Sequence, residues 1–450
     1  MKRFYFSELT LSNFRRFDKK TFHLNRQMNV FIGKNASGKT SIIEAATIQL
    51  GAYLSSFKEY VPSRYVMNIS EGNDDVHLKN KHTSLSDLSR VVAPDKTSQF
   101  PCAVKSKIVL DDRDVYCNRI LEKSGGRTKF QGGNPFRKMV STWEEAVKKN
   151  DGSDRTMIFP LALYLSSARL WNENNISKEL TEIPGRFEAY QRCLDRKHSA
   201  NLAFDYLKLL QNIANEEAGG RPYPVYSVVM EAIGYALKGE LEKGQRVIIS
   251  SRYNNQLVLR NEDGTLIKFD SLSDGYRNVI KIIADIAVRM CILNPFLEEK
   301  VLLETPGVVV IDELDLSLHP TWQRRIVDIL KKTFPKIQFI CATHSPFIIQ
   351  SLSSGELQSL DSDILYDYSG KSIEDIAEMV MNVTMPMYSE KKLAMLEAAE
   401  KYMEALGRAA SEDELKELKN KLDSLEAVYS DNPAYIALLK LEYMNRKADI

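Results

Sequence analysis

No stretch of about 18 consecutive apolar residues occurs in the 450-residue chain, so a membrane-spanning helix is not expected. Cysteine is scarce and scattered. Cys102, Cys117, Cys193, Cys291 and Cys341 are odd in number and never fall in C-x-x-C spacing, which argues for a reducing compartment and against a structural zinc. An excess of one charge is missing too. Lys plus Arg number 61 against 60 for Asp plus Glu, a formal net charge of +1 that excludes a uniformly basic nucleic-acid glove and leaves only local patches open. There is no internal repeat, no low-complexity tract and no secretory signal, because Met1-Lys2-Arg3 leads into an amphipathic strand. Hydrophobic residues at 44% and charged residues at 27% are ordinary values, and at this length they support a large core with an inserted or appended lobe. The expectation is a soluble, cytoplasmic protein with no membrane partner.

Against these absences one segment stands out. The apolar run Met28-Asn29-Val30-Phe31-Ile32 leads into Gly33-Lys34-Asn35-Ala36-Ser37-Gly38-Lys39-Thr40, a G-x-x-x-x-G-K-T loop with a strand before it and a helix predicted over Ser41–Leu50. Glycines let backbone N–H groups wrap a polyphosphate, and the helix that follows aims its positive end at the same point. Lys39 is placed to reach the β- and γ-phosphates of ATP, and the Thr40 hydroxyl to ligate Mg²⁺; Ser41 closes the phosphate-binding set.

Upstream of the loop, Phe4, Phe6, Leu9 and Leu11, then Phe22 and Leu24, alternate as two antiparallel strands on either side of Asn13–Phe17. Residues 51–100 are polar and aperiodic and read as loop-rich. Val104–Leu110 and Val115–Leu121 flank Asp111-Asp112-Arg113-Asp114 as a hairpin, and Gly125-Gly126 and Gly132-Gly133 mark a flexible stretch. Around it Arg119, Lys123, Arg127, Lys129, Arg137 and Lys138 form a local basic excess, either a solvated loop or a contact with a phosphate backbone. Residues 158–166 read as a buried strand, and residues 186–215 as helical, with Phe187, Tyr190 and Leu194 at helix spacing. Residues 246–270 read as a meander with turns at Asn254-Asn255 and Asp263-Gly264. After residue 371 the composition turns helical. Ser372–Asp375 and Ser411–Glu414 have capping-box logic, Asn432-Pro433 opens a last helix, and Leu415, Leu418, Leu422, Leu425 and Tyr429 form one apolar stripe. That stripe docks either on the chain's own body or on a partner.

Three further elements belong with the loop. Val308–Ile311 is an apolar strand ending in Asp312 and Glu313; an aspartate there can hold the Mg²⁺ shell and the glutamate can polarise the attacking water. Leu272-Ser273-Asp274-Gly275-Tyr276-Arg277 opens a long apolar helix and could cap a γ-phosphate with its serine and backbone. Phe339–Ala342 is a strand followed by Thr343-His344-Ser345-Pro346, where a γ-phosphate sensor belongs.

The order of these elements resembles ABC-type ATPases of the SMC/RecF/OLD kind. Leu-Ser-Asp-Gly-Tyr-Arg departs from the commoner Leu-Ser-Gly-Gly-Gln, so Ser273 and Gly275 are the signature contacts carried over. The resemblance makes Asp315 the D-loop residue, His344 the switch histidine and Gln99 the candidate for the Q-loop glutamine. It implies an α/β fold, an ABC-ATPase head with a mixed or parallel sheet flanked by helices and an antiparallel β subdomain, plus a helical insert and a helical C-terminal tail. The boundaries expected are 1–50 for the lobe with the phosphate loop and 51–245 for its remainder with hairpin and helical insertions. Residues 246–370 form the second lobe, and 371–450 a tail for partner docking. It also implies a head-to-tail dimer in which one protomer's Ser273 completes the other's site.

A narrower resemblance is to the stand-alone ATPases of antiphage islands, the Septu PtuA type that also accompanies retrons. It rests on Leu272–Arg277, on Asp312–Arg325, on Phe334–Phe339 and on the tail residues Ser372–Ile376 and Asp431–Tyr435. Members act with a separately encoded HNH nuclease, and a retron reverse transcriptase with its msDNA is a further partner the resemblance brings in. No nuclease centre is expected in this chain: Asp361-Ser362-Asp363 reads as a surface turn, and His77 and His82 lack the cysteines or asparagine of an HNH finger. The alternatives are a RecF- or SMC-like ATPase that clamps DNA, although the insert of roughly 230 residues between Thr40 and Leu272 lacks long heptads for coiled-coil arms, and a nucleotide sensor with little turnover.

Overall fold

A computed structural model describes residues 2–34, 36–57, 91–92, 97–123, 128–149, 157–170, 180–195, 201–216, 223–239, 241–253, 256–360, 368–381, 383, 386, 388–408 and 410–426. Its contacts divide the chain into two units, Met1–Lys371 and Ser372–Ile450.

The first unit is built on two large sheets. Alternation along Phe4–Phe14 (β1) and Phe17–His23 (β2) gives an antiparallel pair with one buried face. Beyond β1 the sheet continues through Cys102–Leu110 (β6), Arg113–Leu121 (β7) and the short Lys129–Phe130 (β8). Val91–Val92 (β4) and Thr97–Ser98 (β5) form a separate two-stranded pair. The second large sheet is wholly parallel, in the order β15 (Leu357–Ser359), β3 (Met28–Ile32), β14 (Ile337–Ala342), β13 (Gly307–Ile311), β9 (Leu161–Leu165). Every residue of β3, β9, β13 and β14 is buried, which is why these strands read as unbroken apolar runs.

Helix α1 (Lys39–Leu54) lies between the sheets and touches strands of both. It starts earlier and runs longer than the sequence predicts, and from Ser41 to Leu54 every side chain is buried, which explains its lack of a polar face. The Gln49 amide donates to the Val104 carbonyl (2.7 Å) and ties α1 to β6. Gln338 of β14, fully buried, makes the second tie. Its Oε1 accepts from the Phe6 N–H and its Nε2 donates to the Phe6 and Asn25 carbonyls (2.8, 2.8 and 2.7 Å). A single amide therefore joins the parallel sheet to the antiparallel one, beside the bulge that shifts β1 register between Phe6 and Glu8.

Three expectations are corrected. Residues 186–194 are not one helix: a 3₁₀ turn spans Arg186–Tyr190, Arg192 has φ 52°, and the regular helix α3 begins at Asn201 and ends at Glu216. The cause is a buried guanidinium. Arg289 donates to the Ala189 carbonyl and to that of Gln191 (3.1 Å), taking acceptors a continuous helix would need. Arg119 does not join a solvent-facing basic patch; it is 2% exposed, lies 4.5 Å over the Phe130 ring, and burial lowers its pKa to about 10. Arg127 lies outside the described residues, while Arg137 and Lys138 are exposed on α2 (Arg137–Lys149), a helix the glycine-rich approach to it concealed.

The rest of the first unit includes α4 (Pro224–Ala236) and a three-stranded antiparallel meander, β10 (Arg246–Ser250), β11 (Gln256–Arg260) and β12 (Leu266–Lys268). It continues through α5 (Asp274–Leu293) and α6 (Ile326–Thr333). The Asp263-Gly264 turn closes as expected, with the Asn261 N–H donating to Thr265 O; Asn254-Asn255 lie outside the described residues.

In the second unit, Ser372 and Asp375 form a full capping box ahead of the short helix Ile373–Met379. Helices α7 (Glu390–Gly407) and α8 (Glu412–Glu426) pack as a hairpin around Met395, Ala398, Ala399, Tyr402 and Leu422. The stripe Leu415, Leu418, Leu425 is thus covered by a neighbouring helix of its own unit; Tyr429 and Asn432-Pro433 lie outside the described residues. Among the described residues no helix is long and apolar enough to cross a membrane.

Candidate nucleotide site

Parallel strands deliver their C-terminal ends to one edge, and in open α/β sheets that edge is where ligands bind. Here the edge receives the loop after β3, the carboxylates after β13 and the Thr343–Ser345 segment after β14. Thr343 N–H donates to Phe31 O (3.3 Å), Leu314 N–H to Ala342 O (2.9 Å) and Asp312 N–H to Leu165 O (2.9 Å), so each strand end is stitched to its neighbour.

The loop is tightly wound. Ser37 N–H donates to Lys34 O (3.0 Å), Ala36 has φ 63° and Gly38 φ 103°. An added Cβ at Gly38 would lie 2.7 Å from the Phe17 ring and 2.9 Å from Arg16 Cδ, so only glycine fits. Gly38 is also the N-cap of α1 and offers no side-chain acceptor, leaving the helix's first N–H groups for a ligand. The Lys39 ammonium folds into the loop and donates to Gly33 O (2.5 Å) and Lys34 O (3.0 Å). Thr40 is exposed and Ser41 buried; the buried Ser37 Oγ has no hydrogen-bond partner among the described residues. Asn35 lies outside the described residues. An orphaned hydroxyl, uncapped N–H groups and an inward ammonium are a donor set suited to an anion.

Sequence reasoning missed what braces this loop. The β1–β2 turn presses on it from outside: Arg16 Nη1 donates to Ala36 O (2.5 Å), and Arg15, with φ 51°, pairs with the buried Glu44 of α1 (2.5 Å). Phe17 stacks edge-on with Phe22, and Phe22 with Phe31 of β3 (5.8 and 5.5 Å). Burial lowers the Arg15 pKa. The only signal in the sequence was two arginines between two aromatics at a strand break.

Beyond Asp312 the backbone turns sharply, with Glu313 at φ 50° and Ser317 at φ 56°. Asp315 Oδ1 accepts from Thr343 Oγ1 (2.5 Å) and from His344 N–H (3.2 Å), so the two segments hold each other. Ser345 caps the turn Pro346–Gln350 and donates to Gln323 Oε1 (2.5 Å); the His344 side chain is exposed.

Ser273 stands exposed at the N-cap of α5 and makes no side-chain cap bond. The start of α5 rests on the turn after Glu313. Asn278 Nδ2 donates to Leu316 O (2.7 Å), a Cβ on Gly275 would lie 3.2 Å from Ser317 O, and Tyr276 meets Trp322 edge-on (5.6 Å). The structure thus groups Ser273 and Gly275 with the Asp315 turn, and the phosphate loop with Asp312 and Thr343. Gln99 is exposed in the turn before β6. Among the described residues no group of three or more His, Cys, Asp or Glu side chains could hold a metal ion by itself.

Residues 8–218 match a family model described as "AAA domain", and residues 142–350 one described as "AAA domain, putative AbiEii toxin, Type IV TA system". The chain is 25% identical to the Retron Vc95 probable ATPase of Vibrio cholerae serotype O1 biovar El Tor, covering 91% of this chain and 85% of that protein. It is 22% identical to the Retron Ec83 probable ATPase of Escherichia coli, over 77% of this chain and 70% of that one. The Septu protein PtuA of Bacillus thuringiensis is 31% identical over 41% of this chain and 48% of its own length. Among solved structures, an SMC head bound to the C-terminal winged-helix domain of ScpA superposes with a TM-score of 0.47 at 14% identity, covering 79% of this chain and 93% of that one. Together the two AAA-domain matches span residues 8–350, and the chain is similar to the retron probable ATPases and to the Septu PtuA proteins, likenesses that support ATPase activity.

Proposed function

We propose that this chain binds ATP and Mg²⁺ at the C-terminal edge of its parallel sheet, hydrolyses ATP in a head-to-tail dimer, and uses that cycle to control a separately encoded HNH nuclease in antiphage defence. The observation that carries the reading is the convergence at that edge of a glycine-wound loop, two carboxylates and a histidine segment, in a homologue of retron and Septu proteins.

In this reading the Gly33–Ser41 segment holds the polyphosphate: Lys34, Asn35 and Ala36 offer backbone N–H groups, Ser37 offers its hydroxyl, and Lys39 exchanges its carbonyl partners for phosphate oxygens. Thr40 and Asp312 hold Mg²⁺, which when bound offsets charge on the β- and γ-phosphates. Glu313 orients and deprotonates the attacking water, and His344 faces the γ-phosphate. Asp315, locked to Thr343 and His344, relays the position of the partner's signature to its own site. Ser273 and Gly275 serve the opposite protomer, which accounts for an exposed serine without a cap bond. The helical unit from Ser372 onward is the docking element for the nuclease. A retron reverse transcriptase with its msDNA is a second partner class.

The test is purification of the chain with the product of an adjacent HNH reading frame. Lys39→Ala should abolish the ATP-dependent rise in melting temperature, which at a hundredfold excess over Kd corresponds to about 2.7 kcal/mol. Truncation after Lys371 should leave that rise intact and release the nuclease. Retention of the nuclease by the truncated chain would refute the docking assignment, and an unchanged thermal response in Lys39→Ala would refute the site.

A further inference from the structure

Gln323 closes the short helix Pro320–Gln323 that follows the turn after Glu313, and it is half-buried. Its Nε2 donates to the Leu318 carbonyl (2.7 Å) and its Oε1 accepts from the Ser345 hydroxyl (2.5 Å). A carbonyl can only accept, so the amide has one orientation, with Nε2 toward Leu318 and Oε1 toward Ser345. Ser345 must then donate, which leaves its lone pairs for the N–H groups of Phe347 and Ile348 (3.1 and 3.2 Å). Among the described hydrogen bonds of Ser345, the one to Gln323 alone leaves its own segment, since the Ser345 N–H donates to Thr343 Oγ1 (3.1 Å).

His344 is thus gripped on both sides. Thr343 Oγ1 and the His344 N–H donate to Asp315 Oδ1 (2.5 and 3.2 Å), and Ser345 is held by Gln323. Thr343 and Ser345 are buried, whereas His344 stands exposed between them. Both grips reach from one turn, closed by the Leu318 N–H on the Asp315 carbonyl (3.0 Å). The start of α5 rests on the same turn. Asn278 Nδ2 donates to the Leu316 carbonyl (2.7 Å), two residues before the carbonyl that Gln323 takes. Tyr276 meets Trp322, the residue before Gln323, edge-on (5.6 Å). Ser273 and His344 therefore take their positions from one short stretch of backbone.

We propose that Gln323 is a positioning residue for ATP hydrolysis: it sets where His344 stands and ties that position to the helix that begins after Ser273. The proposal rests on the reading above in which His344 faces the γ-phosphate, and it is independent of the nuclease. Asp315 holds the segment at Thr343 and at the His344 backbone; Gln323 adds the second point, at Ser345, that stops the segment from pivoting about the first. Displacements of an ångström at a reacting centre cost about a hundredfold in rate, so a second point of attachment matters to turnover and not to affinity for nucleotide.

The experiment measures steady-state ATP hydrolysis by the full chain, with its ATP-dependent thermal shift, in Gln323→Met, Gln323→Glu, His344→Ala and the combined Gln323→Met, His344→Ala variant. Gln323→Met should lower kcat at least about tenfold with KM within about twofold of wild type and the thermal shift intact, because the phosphate loop is untouched. In the His344→Ala background the same substitution should change kcat by less than about twofold, which a general loss of packing would not produce. Gln323→Glu, of the same size, covers the case in which Gln323→Met fails to fold. It keeps the acceptor for Ser345 but sets a carboxylate oxygen against the Leu318 carbonyl, so it should be slow at about pH 8. Its rate relative to wild type should rise toward about pH 5, as the carboxyl gains a proton to donate to that carbonyl. Wild-type turnover matched within about twofold by both Gln323 variants, full additivity with His344→Ala, or a ratio indifferent to pH would each overturn the role of Gln323 alone. A wild-type chain with neither turnover nor a thermal shift would overturn the nucleotide reading along with it.

Discussion

Removing Asp285 should cost the first unit a large part of its stability. Asp285 and Arg289 are each 1% exposed and lie one helical turn apart in α5, with Nε–Oδ1 2.9 Å. Taking away one member of such a pair leaves an uncompensated buried charge, a loss of about 3–5 kcal/mol, against a total of about 5–15 kcal/mol for an ordinary domain. Arg289 keeps its bonds to the Ala189 and Gln191 carbonyls, so Asp285→Ala should fall at the lower end, about 3 kcal/mol. Arg289→Met should cost more, since it also strips those carbonyls of their donor. Adding Asp285→Leu to Arg289→Met should then recover stability, because the isolated carboxylate is gone. The readout is urea unfolding followed by tryptophan emission, which reports this unit alone: Trp143, Trp171 and Trp322 all precede residue 372. The damage should reach the nucleotide site, because the segment gripped by Arg289 carries Tyr190, whose hydroxyl meets that of Tyr53 on α1 (2.8 Å). An Asp285→Ala variant within 1 kcal/mol of wild type, or a double variant less stable than Arg289→Met, would refute this account.

Glu313→Gln should lower ATP turnover by at least about a hundredfold while leaving the ATP-dependent thermal shift in place; turnover near wild type would remove Glu313 as the base. Gly38→Ala forces a side chain into a left-handed position and against Phe17, a strain of about 1–2 kcal/mol before any clash. It should abolish nucleotide binding in a chain that still folds, as seen by circular dichroism and the thermal shift; a retained shift would contradict the loop geometry. Burial raises the thiols of Cys102, Cys117 and Cys193 from 9.0 to about 12. A folded pKa above the unfolded one gives stability that is complete below pH 9 and is lost as pH rises toward 12, about 1.4 kcal/mol per thiol by pH 10. The melting temperature should therefore fall between pH 8 and pH 10, and fall less in Cys193→Ala; equal slopes in both proteins would refute the assignment.

Much of this architecture was legible because it rests on local signals. The buried parallel strands announce themselves as Met28–Ile32, Leu161–Leu165 and Val308–Ile311, each an apolar run too short for a helix. The capping box at Ser372 and the leucine stripe of α8 depend on spacing within one element, and both stand as read. What stayed hidden depends on contacts distant in sequence. Residues 186–194 have helix periodicity, yet Arg289 claims their carbonyls from nearly a hundred positions away. Arg119 looked like a surface charge until the ring of Phe130 covered it. The brace formed by Arg15, Arg16 and Phe17 reaches across to Ala36, Gly38 and Glu44, and no spacing rule links a strand break to a loop twenty residues on.

The Gln338 amide has a mechanical corollary. It grips both backbone groups of Phe6, so β1 is anchored at its beginning while its far end rests on the phosphate loop through Arg16 and Phe17. A strand pinned in that way cannot slide along its axis. Any movement that nucleotide imparts to the Arg15–Phe17 tip has to be a lever-like swing about the bulge at Phe6 and Glu8, with the antiparallel sheet as the arm.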